Sequence, residues 1–122
     1  MAIISMKKTA EGEPQIAAMA TFGTEYYTKY VIVVDDDVDI FDMNDVMWAV
    51  ATRVKAEKDV IFVPNAKGPI LDPTSDPQHY TVTKMAIDAT RPSGRDFAER
   101  LTITDEQRTR ARAILAAAGI NL

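Results

Sequence analysis

The chain has 122 residues, of which 47% are hydrophobic and 26% are charged, and it contains no cysteine. This balance is typical of one globular domain, and no segment approaches the roughly 18 consecutive apolar residues that a membrane-spanning helix needs. Without cysteine, thiolate metal sites and cysteine nucleophiles are excluded. The formal charge of −4, with acids concentrated between Asp35 and Asp45, argues against a nucleic-acid surface. We expect one domain over residues 1–122, located in the cytoplasm, since the opening MAIISMKK lacks the features of a secretory signal.

The first third of the chain predicts a strand, a helix and a second strand. Ala2–Met6 is a short apolar run of strand length. Pro14 stands at a first-turn position and Gly23 follows the last apolar residues, so we expect a helix that begins at Pro14 and ends before Gly23. Tyr30–Val34 is β-branched and continuous rather than alternating, which is typical of a central strand buried on both faces.

A second helix is predicted after the aspartates that end this strand. Either Asp42 or Asn44 supplies its N-cap, and Asp45 places an acid in its first turn. Arg53 and Lys55 lie near its end, where positive charges complement the helix dipole. Between the cap and these basic residues the segment continues as VMWAVATRV, and both ends match the helix dipole.

The second half of the chain predicts two more strands and a last helix. The strands are Val60–Val63 and Thr81–Ile87, separated by the turn-rich segment 68–77 with its three prolines. The last helix covers residues 104–118, with a capped start, strong helix formers and Gly119 just past its end. Strands that alternate with helices indicate an α/β fold, in which a layered, mostly parallel sheet is flanked by helices.

The acidic run DDDVD, from Asp35 to Asp39, ends the predicted central strand. Carboxylates at the C-terminal edge of an α/β sheet can bind hard cations, so a metal site is one interpretation. However, no glycine-rich phosphate loop accompanies them, and consecutive residues of an extended chain point to opposite faces, so three adjacent aspartates cannot converge on one ion. We therefore expect them to end the strand, accept bonds from backbone amides or pair with Arg and Lys, and we assign no metal ligand.

The chain contains one histidine and one tryptophan. His79 lies in the proline-rich stretch without a nearby nucleophile motif, so a surface loop position is expected rather than a catalytic dyad. Trp48 lies at mid-helix beside Val46, Ala49 and Val50, and is expected to pack in the core or at an interface. The residues alone thus predict an α/β domain with an acid-ended strand, and no catalytic residue is assigned.

Several longer stretches resemble the C-terminal domain of UbiD-type carboxy-lyases. The first is KYVIVVDDDVDIFDMNDVMWAVATRV, residues 29–54, with a lysine-led apolar strand, the DDDVD turn and a helix that contains WA and then ATR. Downstream, Asp59 in KDVIFVPN, the GPILDP of Gly68–Pro73 and the TKMAIDAT of Thr83–Thr90 recur in the family's order and at similar spacing. The opening AIISMKK and the segment AAMATFG are similar too, so the resemblance covers nearly the whole chain except its C-terminal end.

This resemblance implies a particular chemistry. Members of the family are decarboxylases, some run in reverse as carboxylases, that act on aromatic or α,β-unsaturated carboxylic acids with prenylated flavin mononucleotide. The family's flavin and metal contacts, and the glutamate that protonates the product, belong to a large N-terminal part whose motifs are not found in this sequence. The resemblance therefore implies that the isolated chain holds no cofactor and is not a complete catalyst.

The resemblance also implies a substrate lid in the loop after the third strand. The segment whose apolar side chains close over the substrate corresponds here to Gly68, Pro69, Ile70 and Leu71. The alternative interpretation of GPIL is an ordinary turn followed by a core residue. Other members carry an aromatic residue near the lid where Pro69 or Ile70 stands, so substrate identity is not transferred. The family motifs DDDVD and Asp88–Thr90 are assigned to fold maintenance.

Two functions from different classes fit these observations. The first is a small subunit, or a C-terminal fragment, of a UbiD-type (de)carboxylase, which supplies a lid loop and an assembly surface to a separate prenylated-FMN-binding chain. The second is a noncatalytic binding or assembly domain that retains the fold. An adjacent reading frame that encodes the missing flavin-binding part would distinguish the first from the second.

The C-terminal helix is expected to dock away from its own sheet. It has few large apolar side chains, and most helical stability in water comes from packing an apolar face. The residues predicted to anchor it on another chain, and so to make the protein an oligomer, are Ile114, Leu115, Ile120 and Leu122. The alternative is a helix that lies on its own sheet through a face of small residues, namely Ala111, Ala113 and Ala117.

Overall fold

The computed structural model of the protein describes residues 1–120. In chain order its elements are β1 (Ala2–Met6), α1 (Glu13–Thr24), β2 (Tyr30–Asp35), α2 (Met43–Arg53), α3 (Ala56–Asp59), β3 (Val60–Lys67), β4 (Thr81–Ala89) and α4 (Asp105–Ala117). The strands form one sheet in the order β1-β2-β4-β3. β1, β2 and β4 are parallel, and β3 is antiparallel to β4. The predicted α/β fold, a mostly parallel sheet with flanking helices, is confirmed.

The strand β2 separates two hydrophobic cores. Its side chains alternate, so that Val31 and Val33 pack in the core beneath α1, whereas Ile32 and Val34 pack in the core beneath α2. Every residue from Val31 to Asp35 is buried, as expected for a strand covered on both faces. Because burying an aliphatic side chain contributes about 1.5–3 kcal/mol, this strand is a main source of the sheet's stability. The predicted central strand is confirmed.

Helix α2 covers only part of its face of the sheet. Its buried residues Val46 and Ala49 belong to the core that contains Val34 and Ala89, at the C-terminal ends of β2 and β4. Tyr30, at the other end of β2, is exposed. The N-terminal margin of this face is therefore left without a covering helix.

The edge strand β3 is interrupted by a bulge. Its pairing with β4 shifts register between Val63 and Ala66. Asn65 has a φ of 54°, in the left-handed region of backbone conformation, and Pro64 has no N–H to donate. The strand continues through this irregularity to Lys67, beyond the end at Val63 that the sequence predicted.

Two helical features differ from the sequence predictions. Helix α1 continues through Gly23 to Thr24, so the prediction that Gly23 lies past its end is wrong. The reason is that the hydrogen bonding continues, since the Glu25 N–H still donates to the Thr21 carbonyl at 3.0 Å. Helix α3 was not predicted, because its four residues are too few to show an apolar period.

The ends of the other two long helices agree with their sequence signals. Asp42 is the N-cap of α2 and accepts a bond from the Asn44 N–H at 2.9 Å. Thr104 and Gln107 form a reciprocal capping box at the start of α4. Gly119 has a φ of 77°, which suits glycine just past a helix end.

Helix α4 has no buried residue. The small face formed by its alanines is exposed, so the alternative in which this helix lies on its own sheet is wrong; those residues are Ala111, Ala113 and Ala117. Ile114 is 62% exposed and Ile120 51% exposed, Leu115 is half-buried, and Leu122 lies outside the described residues. Among residues 1–120, no helix is both long and apolar enough to cross a membrane.

Candidate functional site

The residues singled out in the sequence lie at opposite ends of the sheet. β1, β2 and β4 run in the same direction, so their C-terminal ends share one edge, where Asp35–Asp39 and Asp88–Thr90 are found. β3 runs antiparallel to β4, and the loop 68–80 that joins them therefore lies at the opposite, N-terminal edge. The acidic run and the predicted lid are thus separate regions rather than one site.

The lid loop starts at a glycine whose surroundings leave no room for a side chain. Gly68 is buried, and its N–H donates to the Tyr80 carbonyl at 2.8 Å. A Cβ at this position would lie 2.8 and 3.0 Å from the two methyl carbons of Val82 and 3.1 Å from the Ser75 Oγ. The Ser75 hydroxyl also donates to the Pro69 carbonyl at 3.0 Å. Close packing and hydrogen bonds therefore fix the first two lid residues.

An ion pair fixes the other end of the lid. Lys29, the residue before β2, donates to one carboxylate oxygen of Asp72 at 2.9 Å and also to the Thr74 hydroxyl. The second oxygen of Asp72 accepts bonds from the N–H and the hydroxyl of Thr74 at 2.8 and 2.7 Å. Lys29 and Thr74 hold the pKa of Asp72 down to about 2, and Asp72 raises the pKa of Lys29.

Two apolar side chains project into solvent between these fixed ends. Ile70 is 69% exposed and Leu71 is 90% exposed. The alternative in which the turn leads into a core residue is therefore wrong. A rigid base that presents exposed apolar side chains can form one wall of an apolar binding site.

The lid does not form a complete flavin site. Ile70 and Leu71 present only carbon atoms, and the polar groups at the base of the loop, Lys29 and Thr74, are bound to Asp72. A flavin phosphate needs charged or hydrogen-bonding donors that are directed at it. The exposed side chains of Ile70 and Leu71 therefore offer apolar contact and no donor for a phosphate.

The acidic run at the opposite edge is paired with arginine. Arg53 donates to Asp35 at 2.7 Å, and its two terminal nitrogens donate to Asp37 at 2.9 and 2.7 Å. Asp35 also accepts a bond from the Arg91 N–H at 2.8 Å. Arg53 lowers the pKa of Asp37, while Asp36, which points away, is exposed. The prediction that these acids end the strand and pair with arginine is confirmed.

Neighbouring carboxylates bond to the backbone or to side chains of other elements. Asp39 accepts a bond from the Phe41 N–H at 2.9 Å. Asp88 accepts bonds from the N–H and hydroxyl of Thr90, and its second oxygen accepts a bond from the Gln15 side chain of α1 at 3.3 Å. Among residues 1–120, no three metal-ligating side chains are grouped to hold an ion. The bond from Gln15 to Asp88 joins α1 to β4, in agreement with the fold-maintenance role assigned to Asp88–Thr90.

The single tryptophan packs against two arginines, and the single histidine lies on the surface. Trp48 is half-buried, and the Cζ atoms of Arg53 and Arg100 lie 4.9 and 4.2 Å from its ring centre. Arg100 also pairs with Asp45 on the same helix. The side chain of His79 is exposed in the loop before β4, which confirms its predicted surface position.

Sequence reasoning missed a buried lysine that supports the lid's edge of the sheet. Lys84 donates to the carbonyls of Tyr26 and Thr28, each at 2.8 Å, and burial lowers its pKa. These bonds hold the turn that leads into β2. A lysine within a strand usually indicates an exposed position, but Lys84 alternates in phase with Val82 and Ala86, which are buried. That alternation was the available signal.

Comparison with known proteins identifies the family of this domain. The family model described as the 3-octaprenyl-4-hydroxybenzoate carboxy-lyase C-terminal domain matches residues 1–89. The chain is similar to anhydromevalonate phosphate decarboxylase of Methanocaldococcus jannaschii, with 43% identity over 107 residues; the match covers 86% of this chain and 25% of that protein.

Solved structures give the same picture. The UbiD-class enzyme HmfF from Pelotomaculum thermopropionicum, in complex with FMN, matches with a TM-score of 0.79 and 41% identity, over 87% of this chain and 24% of that one. An evolved dimeric form of HmfF with prFMN matches with a TM-score of 0.65 and 34% identity, over 87% of this chain and 21% of that one. The vanillic acid decarboxylase of Sedimentibacter hydroxybenzoicus in its closed form matches with a TM-score of 0.75 and 34% identity, over 95% of this chain and 26% of that one. The chain thus spans about a quarter of the length of these relatives.

Proposed function

Because the chain belongs to the 3-octaprenyl-4-hydroxybenzoate carboxy-lyase (UbiD) family as its C-terminal domain, we propose that it is the small subunit, or the C-terminal part, of a UbiD-type decarboxylase. Residues 1–122 form one domain in this proposal, and a separate chain binds the flavin. The observation that carries the proposal is the pair of exposed apolar side chains, Ile70 and Leu71, on a loop that is fixed at both ends.

The role proposed for this loop is to close over the substrate. An apolar cover excludes water from the reacting carboxylate, and this strengthens the electrostatic interactions around it. Because hydrogen bonds at Gly68 and Asp72 already restrict the loop, closing it costs little further conformational freedom. Pro69 stiffens the loop further, since its ring fixes one backbone dihedral angle.

The proposed substrates are small aromatic or α,β-unsaturated carboxylic acids. The apolar surface of Ile70 and Leu71 suits the carbon skeleton of such acids, and two of the similar proteins named above are decarboxylases. Prenylated FMN is the proposed cofactor of the assembled enzyme, in which the separate chain would hold it. This chain would contribute only the apolar contacts of its lid, because the lid carries no side chain that can bind the flavin phosphate.

The C-terminal helix is proposed to be an assembly element. Ile114 and Ile120 expose their side chains to water, and no residue of α4 is buried against the rest of the described chain. An amphipathic helix gains most of its stability by burying such a face. A neighbouring chain is the proposed binding partner of this surface, which would make the protein an oligomer.

The test is reconstitution with a flavin-binding chain of the family, which the proposal expects an adjacent reading frame to encode. The purified 122-residue chain supplied with prenylated flavin is expected to decarboxylate no aromatic or acrylic acid, and addition of the flavin-binding chain is expected to restore turnover. In the reconstituted enzyme, Leu71→Ala should lower kcat at least about tenfold by admitting water and misplacing the substrate. Turnover by the isolated chain that depends on flavin would contradict the proposal.

The control for the lid substitution is Ile16→Ala on α1, since Ile16 is also apolar and is 70% exposed. It should leave kcat unchanged. Light scattering of both variants with the flavin-binding chain must show the same complex as the natural sequence. An unchanged kcat for Leu71→Ala removes the lid from the site, and assembly without any turnover favours the alternative of a noncatalytic assembly domain, which the exposed face of α4 also supports.

A further inference from the structure

A row of large apolar side chains is uncovered on the α2 side of the sheet. Tyr30 is paired with Met85 between β2 and β4, and Phe62 is paired with Met85 between β3 and β4. Met1 immediately precedes β1 and lies next to Tyr30 in the same register. Met1 is 67% exposed, Tyr30 41% and Phe62 63%, while Met85 is half-buried. We call these four residues the apolar row.

The alternation of the strands fixes the side of the sheet on which this row lies. Tyr30 and Met85 are each two residues before Ile32 and Ile87, which pack in the core beneath α2. Phe62 faces the same side because it is directly opposite Met85. Helix α2 covers the sheet from this core towards the C-terminal ends of the strands, so it leaves the apolar row in water.

We propose that the apolar row is the surface on which the flavin-binding chain docks. This inference rests on the proposed function, and it adds the face of the domain that binds the partner. The matched family region, residues 1–89, is described as a C-terminal domain, so in such enzymes another part of the chain precedes it. That part therefore joins the domain at the start of β1, where Met1 belongs to the row.

The lid lies at the same edge of the sheet as the row. Lys29, which holds Asp72 at the base of the lid, has its Nζ 5.5 Å from the centre of the Tyr30 ring. A partner seated on the row therefore contacts Tyr30, the residue next to the lid's anchor Lys29. The row also has the composition of an interface centre, because aromatic residues and methionine are enriched there and charged residues are depleted.

The experiment uses the full 122-residue chain with an affinity tag as bait in extracts of the source cells. Three baits are compared: the natural sequence, the double variant Tyr30→Ser/Phe62→Ser, and the matched control Ile16→Ser, which changes an apolar residue of similar exposure on α1. Captured chains are identified by mass spectrometry, and flavin is measured by its absorbance. Far-UV circular dichroism and Trp48 fluorescence establish that each bait is folded.

The natural bait and the control should capture a flavin-binding member of the family, and the double variant should capture at least about tenfold less, since buried aromatic anchors carry much of the binding energy at interfaces. Equal capture by the double variant overturns the docking surface but leaves the proposed function intact. Failure of the natural bait to capture such a chain overturns both.

If light scattering shows the natural chain to be a dimer that Phe62→Ser alone converts to a monomer, a second copy occupies the row and the inference is wrong. Should the double variant be unfolded, Phe62→Ser alone is used as bait, with the same outcomes.

Discussion

The two edges of the sheet carry different kinds of side chain. At the C-terminal edge, Asp35 and Asp37 are paired with Arg53, and most of the polar groups have partners within the chain. At the N-terminal edge, the polar groups of Lys29 and Asp72 are also paired, but Ile70 and Leu71 are exposed, and so are Met1, Tyr30 and Phe62 of the apolar row. At the C-terminal edge the paired charges dominate, with Phe41 exposed beside them, whereas at the N-terminal edge the exposed apolar side chains form a row and a loop.

This difference shows that position alone does not identify a functional edge. Ligands of open α/β sheets usually bind at the C-terminal ends of the strands, and carboxylates there suggest a cation site. Here the carboxylates at that edge bind the chain's own arginine and backbone, so the edge supports the fold. The exposed apolar row and lid lie at the other edge, where the partner and the substrate are proposed to bind.

Removing the arginine at the C-terminal edge should have the largest effect on stability. Arg53→Met leaves the buried carboxylate of Asp35 without its main partner. Breaking one side of a buried ion pair costs about 3–5 kcal/mol, and urea unfolding followed by circular dichroism measures this loss. The control is Arg108→Met, which removes an exposed pair with Asp105 and should cost less than about 1 kcal/mol. Equal losses for the two variants would mean that the Arg53 cluster does not support the fold.

A smaller loss is expected from adding one methyl group at the base of the lid. Gly68→Ala would place a Cβ 2.8 Å from a methyl carbon of Val82, and overpacking of this kind costs about 1–3 kcal/mol. The double variant Gly68→Ala/Val82→Ala should lose less than the sum of the two single variants, because the second change removes the overlapping carbons. Additive losses in the urea unfolding of the four proteins would contradict this steric explanation.

A change in titration, rather than in stability, tests the ion pair of the lid. Asp72 has its pKa lowered from the ordinary 3.8 to about 2. A lowered pKa in the folded state means that the pair stabilises the loop above pH of about 4 and is lost as the pH falls through about 2. In Lys29→Met, carboxyl NMR shifts should give a higher pKa for Asp72. Glu11, which Lys8 and Ser93 hold at a pKa of about 2, is the internal control and should not change.

The smallest effect on stability is expected at the tip of the lid. Leu71→Ala changes a side chain that is 90% exposed, so the free energy of unfolding should change by less than about 0.5 kcal/mol. The same substitution is expected to lower kcat in the reconstituted enzyme. A loss above about 1 kcal/mol in the isolated chain would show that Leu71 packs against the domain, and the contrast between the two edges would then be weaker.

Local patterns in the sequence were sufficient to predict most of the fold. The continuous apolar run of β2, a cap at Asp42 or Asn44 and a capped helix start at Thr104 were predicted from residues close together in the chain, and the structure has the run, the cap at Asp42 and the capped start. Boundaries were less accurate where tertiary pairing decided them. β3 continues past Pro64 because β4 offers a partner on the other side of the bulge, and no local signal in the sequence encodes this.

The contacts of the candidate site were harder to predict, because they join distant parts of the chain. The side chain of Asp72 bonds locally to Thr74, as an aspartate in a proline-rich turn often does, but its ion pair with Lys29 crosses 43 positions. The pairing of the acidic run with arginine was expected, whereas the choice of Arg53 depends on how α2 lies on the sheet. The lid itself came from resemblance, and its role in catalysis remains a prediction.

The bulge in β3 also has a consequence for the behaviour of the protein at high concentration. An exposed edge strand can recruit a strand from another molecule and begin aggregation, and this is a particular hazard for β3 because Phe62 is exposed on it. Pro64 and Asn65 divide the strand into two short segments with different register, so a foreign strand cannot pair along its whole length. The bulge is therefore expected to limit edge-to-edge aggregation of a domain that exposes Phe62 on this strand.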